Sequence, residues 1–443
     1  MSTNPRIYLD FNATAPLIPA ARAAMTAALA AIGNPSSIHA EGRAARHLVE
    51  VARGHVAALM GRPREQIVLT SGGTEANALG VLGLAAAVER RGGPRVVVGS
   101  PIDHPSLRGA VQALAQRGWE VRMLAVTPDG VPAVPAPGPG TPGAGASAPG
   151  APEAGIGIPQ ALGAGPDTPQ APGTGPGTPQ ALWAEPGALL QGAGLLAYAA
   201  VNHELGTLAD TAALAAAARA AGALVHIDAV QAAGKLDLAA IPADSLAISA
   251  HKLGGPAGAG ALAITLDDAL PLVDGGHQER GRRPGTENVI GLAGLGAAAE
   301  AAAAALTAGA WREVAVLGAR LEAGLLALGA AAPSRDGSPA VRIHGAGAPR
   351  VGGTINAGFA GTLGESIVVA LDLAGVAAST GAACTSGSVQ PSPVLLALGL
   401  SPAAARSAVR FSLGRSTTAA EIDAVLALLP PIVARARAHA PPA

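Results

Sequence analysis

The stretch Ser245-Leu-Ala-Ile-Ser-Ala-His-Lys-Leu-Gly-Gly-Pro-Ala-Gly-Ala-Gly260 says most about the fold of this chain. Its short apolar run, Leu246 to Ile248, is typical of a buried strand. The run ends in polar residues at Ser249, His251 and Lys252, and the glycines and proline that follow break any regular element. We therefore predict a buried strand that opens into a glycine-rich loop at Lys252.

A lysine held at the end of a buried strand is poorly solvated, which favours its neutral amine. A neutral amine can form a Schiff base with an aldehyde such as pyridoxal phosphate (PLP). The alternative is a surface lysine that merely follows a strand. Lys235 and Lys252 are the only lysines in the chain, so a PLP enzyme with this sequence has two candidate anchors.

Composition excludes several function classes. The chain has 443 residues and a net charge of -1, so no basic field points to nucleic acid or an anionic membrane. Met1 to Asp10 lacks the regions of a signal peptide, and the alanine-rich run from Leu292 to Ala310 carries Glu300 and is interpreted as a soluble helix. The single cysteine, Cys384, excludes an intrachain disulfide and favours the cytoplasm. No metal site is predicted.

Strands and helices alternate from residue 66 to residue 265. This pattern predicts an α/β fold, with a mainly parallel sheet covered by helices. The predicted strands are Gln66 to Thr70, Arg95 to Gly99, Val121 to Val126, Leu195 to Val201, Leu224 to Ile227 and the strand before Lys252, and the predicted helices between them include Glu75 to Val88, Ser106 to Arg117 and Leu208 to Ala221.

Residues 131–194 differ from the rest of the chain. Ala, Gly and Pro dominate them, and a decamer repeat places Pro-Gln after Ile158, Thr168 and Thr178. Three such units have almost nothing to bury, so they cannot form a solenoid. We predict a disordered or polyproline-like insertion on a surface loop, without a part in catalysis.

Polar residues follow the predicted strands at their carboxyl ends, where ligands of parallel sheets bind. Ser71-Gly-Gly-Thr74 leads into a helix and makes an anion site, although Thr74 also fits a simple N-cap. Asp228 can pair with the pyridine nitrogen of PLP, or can itself cap a helix. The residues at such strand ends are Thr74, His104, His203, Asp228, Gln231 and Lys252.

The C-terminal part predicts a smaller α+β domain. Leu292 to Leu328 reads as helix, and Val341 to Phe359, Ile367 to Leu373 and Val409 to Leu413 read as strands. We expect residues 15–290 to form the large domain, and residues 1–14 and 291–443 to form the small one, which carries Cys384.

These motifs, in this order, resemble the group I cysteine desulfurases, which are PLP enzymes of the class V aminotransferase family with fold type I. The resemblance covers nearly the whole chain except the insertion. It rests on Tyr8-Leu-Asp-Phe-Asn-Ala-Thr14, Gly33-Asn-Pro-Ser-Ser-Ile-His39, Thr70-Ser-Gly-Gly-Thr-Glu75, Asn202-His-Glu-Leu-Gly206, His226-Ile-Asp-Ala-Val-Gln231, Ser249-Ala-His-Lys252, Gly275-Gly-His-Gln-Glu-Arg280, Arg283-Pro-Gly-Thr-Glu-Asn288, Gly381-Ala-Ala-Cys-Thr-Ser386 and Arg410-Phe-Ser-Leu-Gly-Arg415.

The resemblance implies a role for each matching residue. Lys252 would bind the PLP aldehyde and shuttle protons, Asp228 would pair with the ring nitrogen, and His104 would stack on the ring. The other cofactor contacts would come from Gln231, at the ring hydroxyl, and from Gly73, Thr74, Ser249, His251 and His203. Thr286 would reach the phosphate from the other subunit of a homodimer, and Asn34 and Arg410 would bind the substrate carboxylate.

Cys384 carries the chemistry that the resemblance implies. A lone cysteine is usually a small buried hydrophobe, but this one has polar, flexible neighbours on both sides. Its thiolate would take the sulfur of L-cysteine as a persulfide and release L-alanine, and an iron–sulfur scaffold or another carrier would accept the sulfur. Two positions depart from the family pattern: His203 replaces a common asparagine, and Ala257 replaces a common lysine.

Two other interpretations remain open from the sequence. One is a relative with the same cofactor, namely a selenocysteine lyase or a class V aminotransferase. The other is a non-catalytic protein that keeps the PLP fold as a scaffold for a partner.

Overall fold

A computed structural model describes residues 6–133, 189–267, 270–331, 339–381 and 390–440. Its centre is a seven-stranded sheet with the spatial order β2-β8-β7-β6-β5-β3-β4. The strands from β3 to β7 are parallel, and β8 runs antiparallel to both of its neighbours. The strand bounds are β2 Ile67–Thr70, β3 Val96–Gly99, β4 Glu120–Met123, β5 Leu195–Ala199, β6 Leu224–Asp228, β7 Ser245–Ser249 and β8 Gly260–Ile264. The predicted α/β class is confirmed.

Side chains of one strand enter two cores because successive residues point to opposite faces of a sheet. In β5, Leu195 and Ala197 pack in the core under α3 (Gly73–Arg90) and α4 (Pro105–Gln116). Leu196 and Tyr198 pack in the core on the other face. That second core also receives side chains from α1 Pro19–Ala28, α2 Ala40–Met60, α5 Thr211–Ala220 and α6 Val289–Thr307.

A second body is built on an antiparallel sheet of β9 (Val341–His344), β10 (Thr354–Phe359) and β12 (Ala408–Ser412), with β10 in the middle. Its core includes Leu9 from the N-terminal segment, beside a small parallel pair of β1 (Ile7–Tyr8) and β11 (Val376–Ala377). Its helices are α7 Ala310–Ala331, α8 Gly364–Leu373 and α11 Ala419–Ala438, with two short helices nearby, α9 Pro393–Ala397 and α10 Pro402–Arg406.

Two sequence predictions in this C-terminal part are wrong. Ile367 to Leu373 is not a strand but part of α8, because Ile367 and Leu371 are buried four residues apart on one helix face. The single helix predicted from Leu292 to Leu328 is two helices, separated at Gly309, whose φ of 72° does not continue a helix. The range from Val341 to Phe359 holds strands as predicted, namely β9 and β10.

Helices α6 and α7 are long and apolar enough to cross a membrane by length and composition. Core helices of globular proteins have the same properties, and half of α6 is buried inside the protein. Its leucines and alanines pack with α1 and α2 in the core of the large sheet, although the predicted boundary at residue 290 assigns α6 to the small domain.

The predicted insertion lies mostly outside the described residues. Its described ends are packed: Pro132 pairs with Val126, and Leu190 and Ala193 are buried in the core. The folded chain therefore extends a few residues into each end of the range 131–194.

Candidate functional site

The carboxyl ends of the sheet strands gather most of the predicted site residues. Asp228 is the last residue of β6, and Lys252 lies in a single 3-10 turn, Ala250–Lys252, directly after β7. His104 is the N-cap of α4 after β3, and Thr74 lies in the first turn of α3 after β2. Although β2 is not next to β7, it runs in the same direction, since β8 is antiparallel to both.

Asn12 lies at the centre of this cluster, and the sequence interpretation gave it no role. Lys252 Nζ donates to the carbonyl oxygen of Asn12 at 2.6 Å and to that of Ala13 at 2.8 Å. Gln231 Nε2 donates to the same Asn12 carbonyl at 3.0 Å. The polar turn after the first strand was the only sequence signal for this position.

The second lysine is also in the cluster. Lys235 Nζ donates to Gln231 Oε1 at 2.9 Å and to Asn12 Oδ1 at 3.4 Å. Burial, followed by the charges of Lys252 and Arg410, lowers the pKa of Lys235 to about 7. Proximity alone therefore does not choose between the two candidate anchors. Lys252, which follows its strand directly, agrees with the sequence prediction.

His104 and His203 face each other edge to face, with ring centroids 5.1 Å apart and planes at 81°. Burial lowers the pKa of both imidazoles, that of His203 well below its ordinary value. The charge of Asp228 raises the pKa of His104 and the charge of Lys252 lowers it. At neutral pH the site thus holds two neutral imidazoles between an acid and an amine.

Asp228 is buried, and both of its carboxylate oxygens accept hydrogen bonds. Oδ1 accepts from the backbone N–H of Val230 at 2.9 Å, and Oδ2 accepts from Asn77 Nδ2 at 2.8 Å. Asp103 is a further buried carboxyl that the sequence interpretation did not select. Burial, the largest cause, and the charge of Asp228 raise the pKa of Asp103 to about 8. Hydrogen bonds from the backbone N–H groups of Ala199 and Ser100 act in the opposite direction.

The N-terminus of α3 offers donors to an anion. Its N-cap, Gly72, supplies no side-chain hydrogen bond in the described structure, so the first N–H groups of the helix point outward. Buried Ser249 lies against this turn: a Cβ added to Gly73 would come within 3.3 Å of Ser249 Cβ. Thr74 is exposed beside it. His251, with its pKa lowered to about 4 by burial and then by Lys252, bonds Thr14 Oγ1 at 2.7 Å.

Arg410 enters the site from β12. Its guanidinium donates to Asp10 Oδ1 at 2.8 Å and to the carbonyl oxygen of His203 at 3.1 Å. Its Nε is buried and has no hydrogen-bond partner among the described residues. A cation in this position, with a free N–H, suits an anionic substrate group.

Two further predicted site residues, like Thr74, lie on the surface of the single chain. Asn34 is exposed, and its side chain accepts from the backbone N–H of Ser36 at 2.9 Å. Thr286 is exposed and lines a small cavity with Ser71 and Arg283.

Cys384 lies outside the described residues, so its predicted location stays a prediction. Described residues on both sides of its segment approach one buried carboxyl, that of Glu204. Ser392 Oγ donates to Glu204 Oε2 at 2.6 Å, and a Cβ added to Gly381 would lie 2.7 Å from the same oxygen. Burial raises the pKa of Glu204.

The residues present fit PLP. The amine of Lys252 lies after β7, and the buried carboxylate of Asp228 lies at the end of β6. The N–H groups at the start of α3 lie after β2, beside Ser249. These are the groups that an aldehyde, a pyridine nitrogen and a phosphate require. A Cβ added at Gly73 would lie 2.9 Å from Cγ2 of Val230, which follows β6, so a side chain at position 73 would not fit without a shift.

Comparison with known proteins agrees with this arrangement. The family model described as aminotransferase class-V matches residues 7–136 and 182–425. The chain is 37% identical to cysteine desulfurase 2 of Trichormus variabilis, over 98% of this chain and 95% of that one. It is 37% identical to a cysteine desulfurase of Cereibacter sphaeroides, over 98% of both chains. A solved NifS-like protein superposes with a TM-score of 0.77 at 26% identity, covering 97% of this chain and 100% of that one.

Proposed function

Because the chain belongs to the class-V aminotransferase family, we propose that it is a PLP-dependent cysteine desulfurase that converts L-cysteine to L-alanine. The observation that carries the proposal is the position of Lys252 and Asp228 at the ends of neighbouring strands. Both lie close enough to His104 for their charges to change its pKa. Relatives of nearly equal length that are named cysteine desulfurases support it.

The residues at these strand ends would hold PLP, and His104 would stack on its ring. Lys252 would bind its aldehyde, Asp228 would face its ring nitrogen, and Gln231 would bond its hydroxyl. The phosphate would take the N–H groups at Gly73 and Thr74 together with the side chains of Ser249 and His251. When bound, PLP supplies an electron sink for the bonds at the substrate carbon that carries the amino group.

Side chains of this protein would move the protons. A released Lys252 Nζ, held near the carbonyls of Asn12 and Ala13, would take and return the proton at the substrate Cα. His104 is neutral at pH 7, since burial lowers its pKa, so its imidazole would stack on the ring without adding a charge.

Cys384 would accept the sulfur. Its thiolate attacks the substrate sulfur, a new S–S bond forms, and the Cβ–S bond breaks with its electron pair left on carbon, where a proton completes alanine. The product on the protein is a persulfide. The contacts of Gly381 and Ser392 with Glu204 tie the flanks of the Cys384 segment to the buried turn that carries His203. Gly381 lies three residues before Cys384, and Ser392 lies eight residues after it.

Arg410 would bind the substrate carboxylate, with its unpaired Nε as the available donor. Asn34 and Thr286 would complete this site and the phosphate site from a second subunit. The apolar side chains beside Asn34 support a homodimer, because Ile32 is 81% exposed and Ile38 is 89% exposed in the single chain.

Two further parts of the proposal concern the cell. The persulfide sulfur would pass to an iron–sulfur scaffold or another acceptor protein. The reaction would take place in the cytoplasm, where the reducing environment keeps a single cysteine free as a thiol.

The test is to incubate the purified protein with PLP, L-cysteine and a reductant, and to measure alanine and sulfide together. Equimolar alanine and sulfide are expected. Cys384→Ala should abolish sulfide release and retain PLP, and Ser388→Ala, a change of similar size in the same segment, should retain both. Pyruvate in place of alanine, or transamination that survives Cys384→Ala, would contradict the proposal.

A further inference from the structure

A chain of buried hydrogen bonds ends on the Asp228 carboxylate. Asn77 is fully buried in α3, and its Nδ2 lies 2.8 Å from Asp228 Oδ2. Its Oδ1 lies 3.1 Å from His226 Nε2, and His226 Nδ1 lies 2.8 Å from Ser245 Oγ. The series of hydrogen bonds therefore runs from β7 through β6 and α3 back to the end of β6.

The chemistry of the four groups sets the direction of this chain. An ionised carboxylate only accepts hydrogen bonds, so the Asn77 amide must donate to Asp228 and turn its oxygen towards His226. His226 then donates from Nε2, and its Nδ1 accepts from the Ser245 hydroxyl. Burial holds the His226 imidazole neutral, with its pKa lowered to about 3, so it has one N–H and one lone pair for these two roles.

Helix α3 packs closely against this series of hydrogen bonds. A Cβ added to Gly80 of α3 would lie 2.3 Å from His226 Nδ1, so only glycine lets the helix pass over the imidazole. A buried asparagine with no partner would be costly, yet here both ends of its amide are bonded.

The Asn77 amide has a second branch. Nδ2 also lies 3.0 Å from Ser106 Oγ, which in turn lies 2.8 Å from His104 Nδ1. The backbone N–H of Ser106 donates to the same Nδ1 at 3.1 Å, so this nitrogen is an acceptor and the proton of His104 is on Nε2.

We propose that Asn77 is a positioning residue that orients the Asp228 carboxylate for a pyridine nitrogen, and that His226 and Ser245 fix the direction of its amide. This inference rests on the proposed function, since it assumes that Asp228 faces PLP. Asn77 acts through Asp228 and touches neither substrate nor cofactor.

The first test determines which groups donate and which accept in this series of hydrogen bonds, in the cofactor-free protein. In ¹⁵N NMR of the histidine-labelled, PLP-free protein, His226 should carry its proton on Nε2, and His226→Gln identifies its signal by deleting it. A proton on Nδ1 would mean that the amide is reversed and turns its oxygen towards Asp228, which overturns the inference even if no variant of Asn77 folds.

The second test removes the amide. Asn77→Leu should weaken PLP binding, measured by absorbance titration of the cofactor-free protein, on the order of ten-fold or more, as expected for a lost bond to a charged group. His226→Gln, whose amide can still donate to Asn77, should bind PLP nearly as the parent does.

Asn356→Leu is the matched control, since Asn356 is equally buried but lies in β10 and bonds His344. It should keep the PLP affinity of the parent protein. If Asn77→Leu keeps the PLP affinity and absorbance of the parent protein, the inference is overturned and the proposed function stands. If the parent protein fails to bind PLP or to form alanine, the proposed function is overturned and the NMR result stands.

Discussion

Arg53 and Glu279 form a buried pair with two parallel hydrogen bonds, although 226 residues separate them. The bonds are 2.6 and 2.7 Å long, and the two side chains are 6% and 1% exposed. Arg53 also donates to the carbonyl of Ile67, and Glu279 accepts from the N–H of Leu69. The pair thus fastens the segment that leads to Thr286 onto β2.

Breaking this pair should destabilise the protein. We expect Arg53→Met to lower the free energy of unfolding by about 3–5 kcal/mol, because it leaves the buried Glu279 carboxyl group without its cation. Glu279→Gln should cost less, because Arg53 keeps its bonds to Glu50 at 3.1 and 3.2 Å. Urea unfolding of the cofactor-free protein measures this change. Arg320→Met is the control: its pair with Asp423 is half exposed, and its loss should cost about 0–1 kcal/mol. Equal losses in all three variants would contradict the expectation.

The two lysines should differ in their bond to PLP. Lys252→Ala should abolish the covalent adduct that borohydride fixes, because it removes the amine at the β7 end. Lys235→Met should retain that adduct. Intact-protein mass spectrometry after reduction distinguishes the two, and an adduct that survives in Lys252→Ala but disappears in Lys235→Met would identify Lys235 as the anchor.

Asp103 should make stability depend on pH. Burial is the first cause that raises its pKa, from 3.8 to about 8 in the folded protein. The folded state then binds more protons than the unfolded state between those values, so its contribution to stability is full at low pH and is lost as the pH rises towards 8. Urea unfolding of the cofactor-free protein at several pH values should show a flatter dependence for Asp103→Asn. Asp423→Asn, at an exposed position, should retain the parent slope.

Replacing residues 134–188 by a short Gly/Ser linker should leave the folded protein and its PLP affinity unchanged. Both described ends attach to the same part of the sheet: Ala133 donates to the carbonyl of Ala125, and Arg122 donates to the carbonyls of Leu189 and Gln191. A linker therefore has a short distance to span. Thermal unfolding and PLP titration check this, and a large loss in either would assign the insertion a structural part.

Local sequence patterns were sufficient for most of the large sheet. Short apolar runs followed by glycine or polar residues located β2, β3, β5, β6 and β7 within one or two residues. The pattern failed at α8, where a run of seven mainly apolar residues fits a strand as well as a helix. Only packing against α11 and β12 decides that case.

The missed site residues share one property: their roles depend on contacts between distant parts of the chain. Asn12 looks like a turn residue in sequence, yet it meets Lys252 across 240 residues. Asn77 lies in the second turn of an apolar helix, 151 residues from Asp228. No local period marks such positions.

The sequence by itself determined the order of strands and helices, the strand-end positions of Lys252, Asp228 and His104, and the family to which these motifs point. This is because solvation and backbone preference act on neighbouring residues and leave a regular spacing of apolar residues in the sequence. The tertiary structure decided which groups meet: Asn12 beside both lysines, Asn77 on Asp228, and Arg53 on Glu279. Hydrogen bonds act over about 3 Å in space and take no account of separation along the chain.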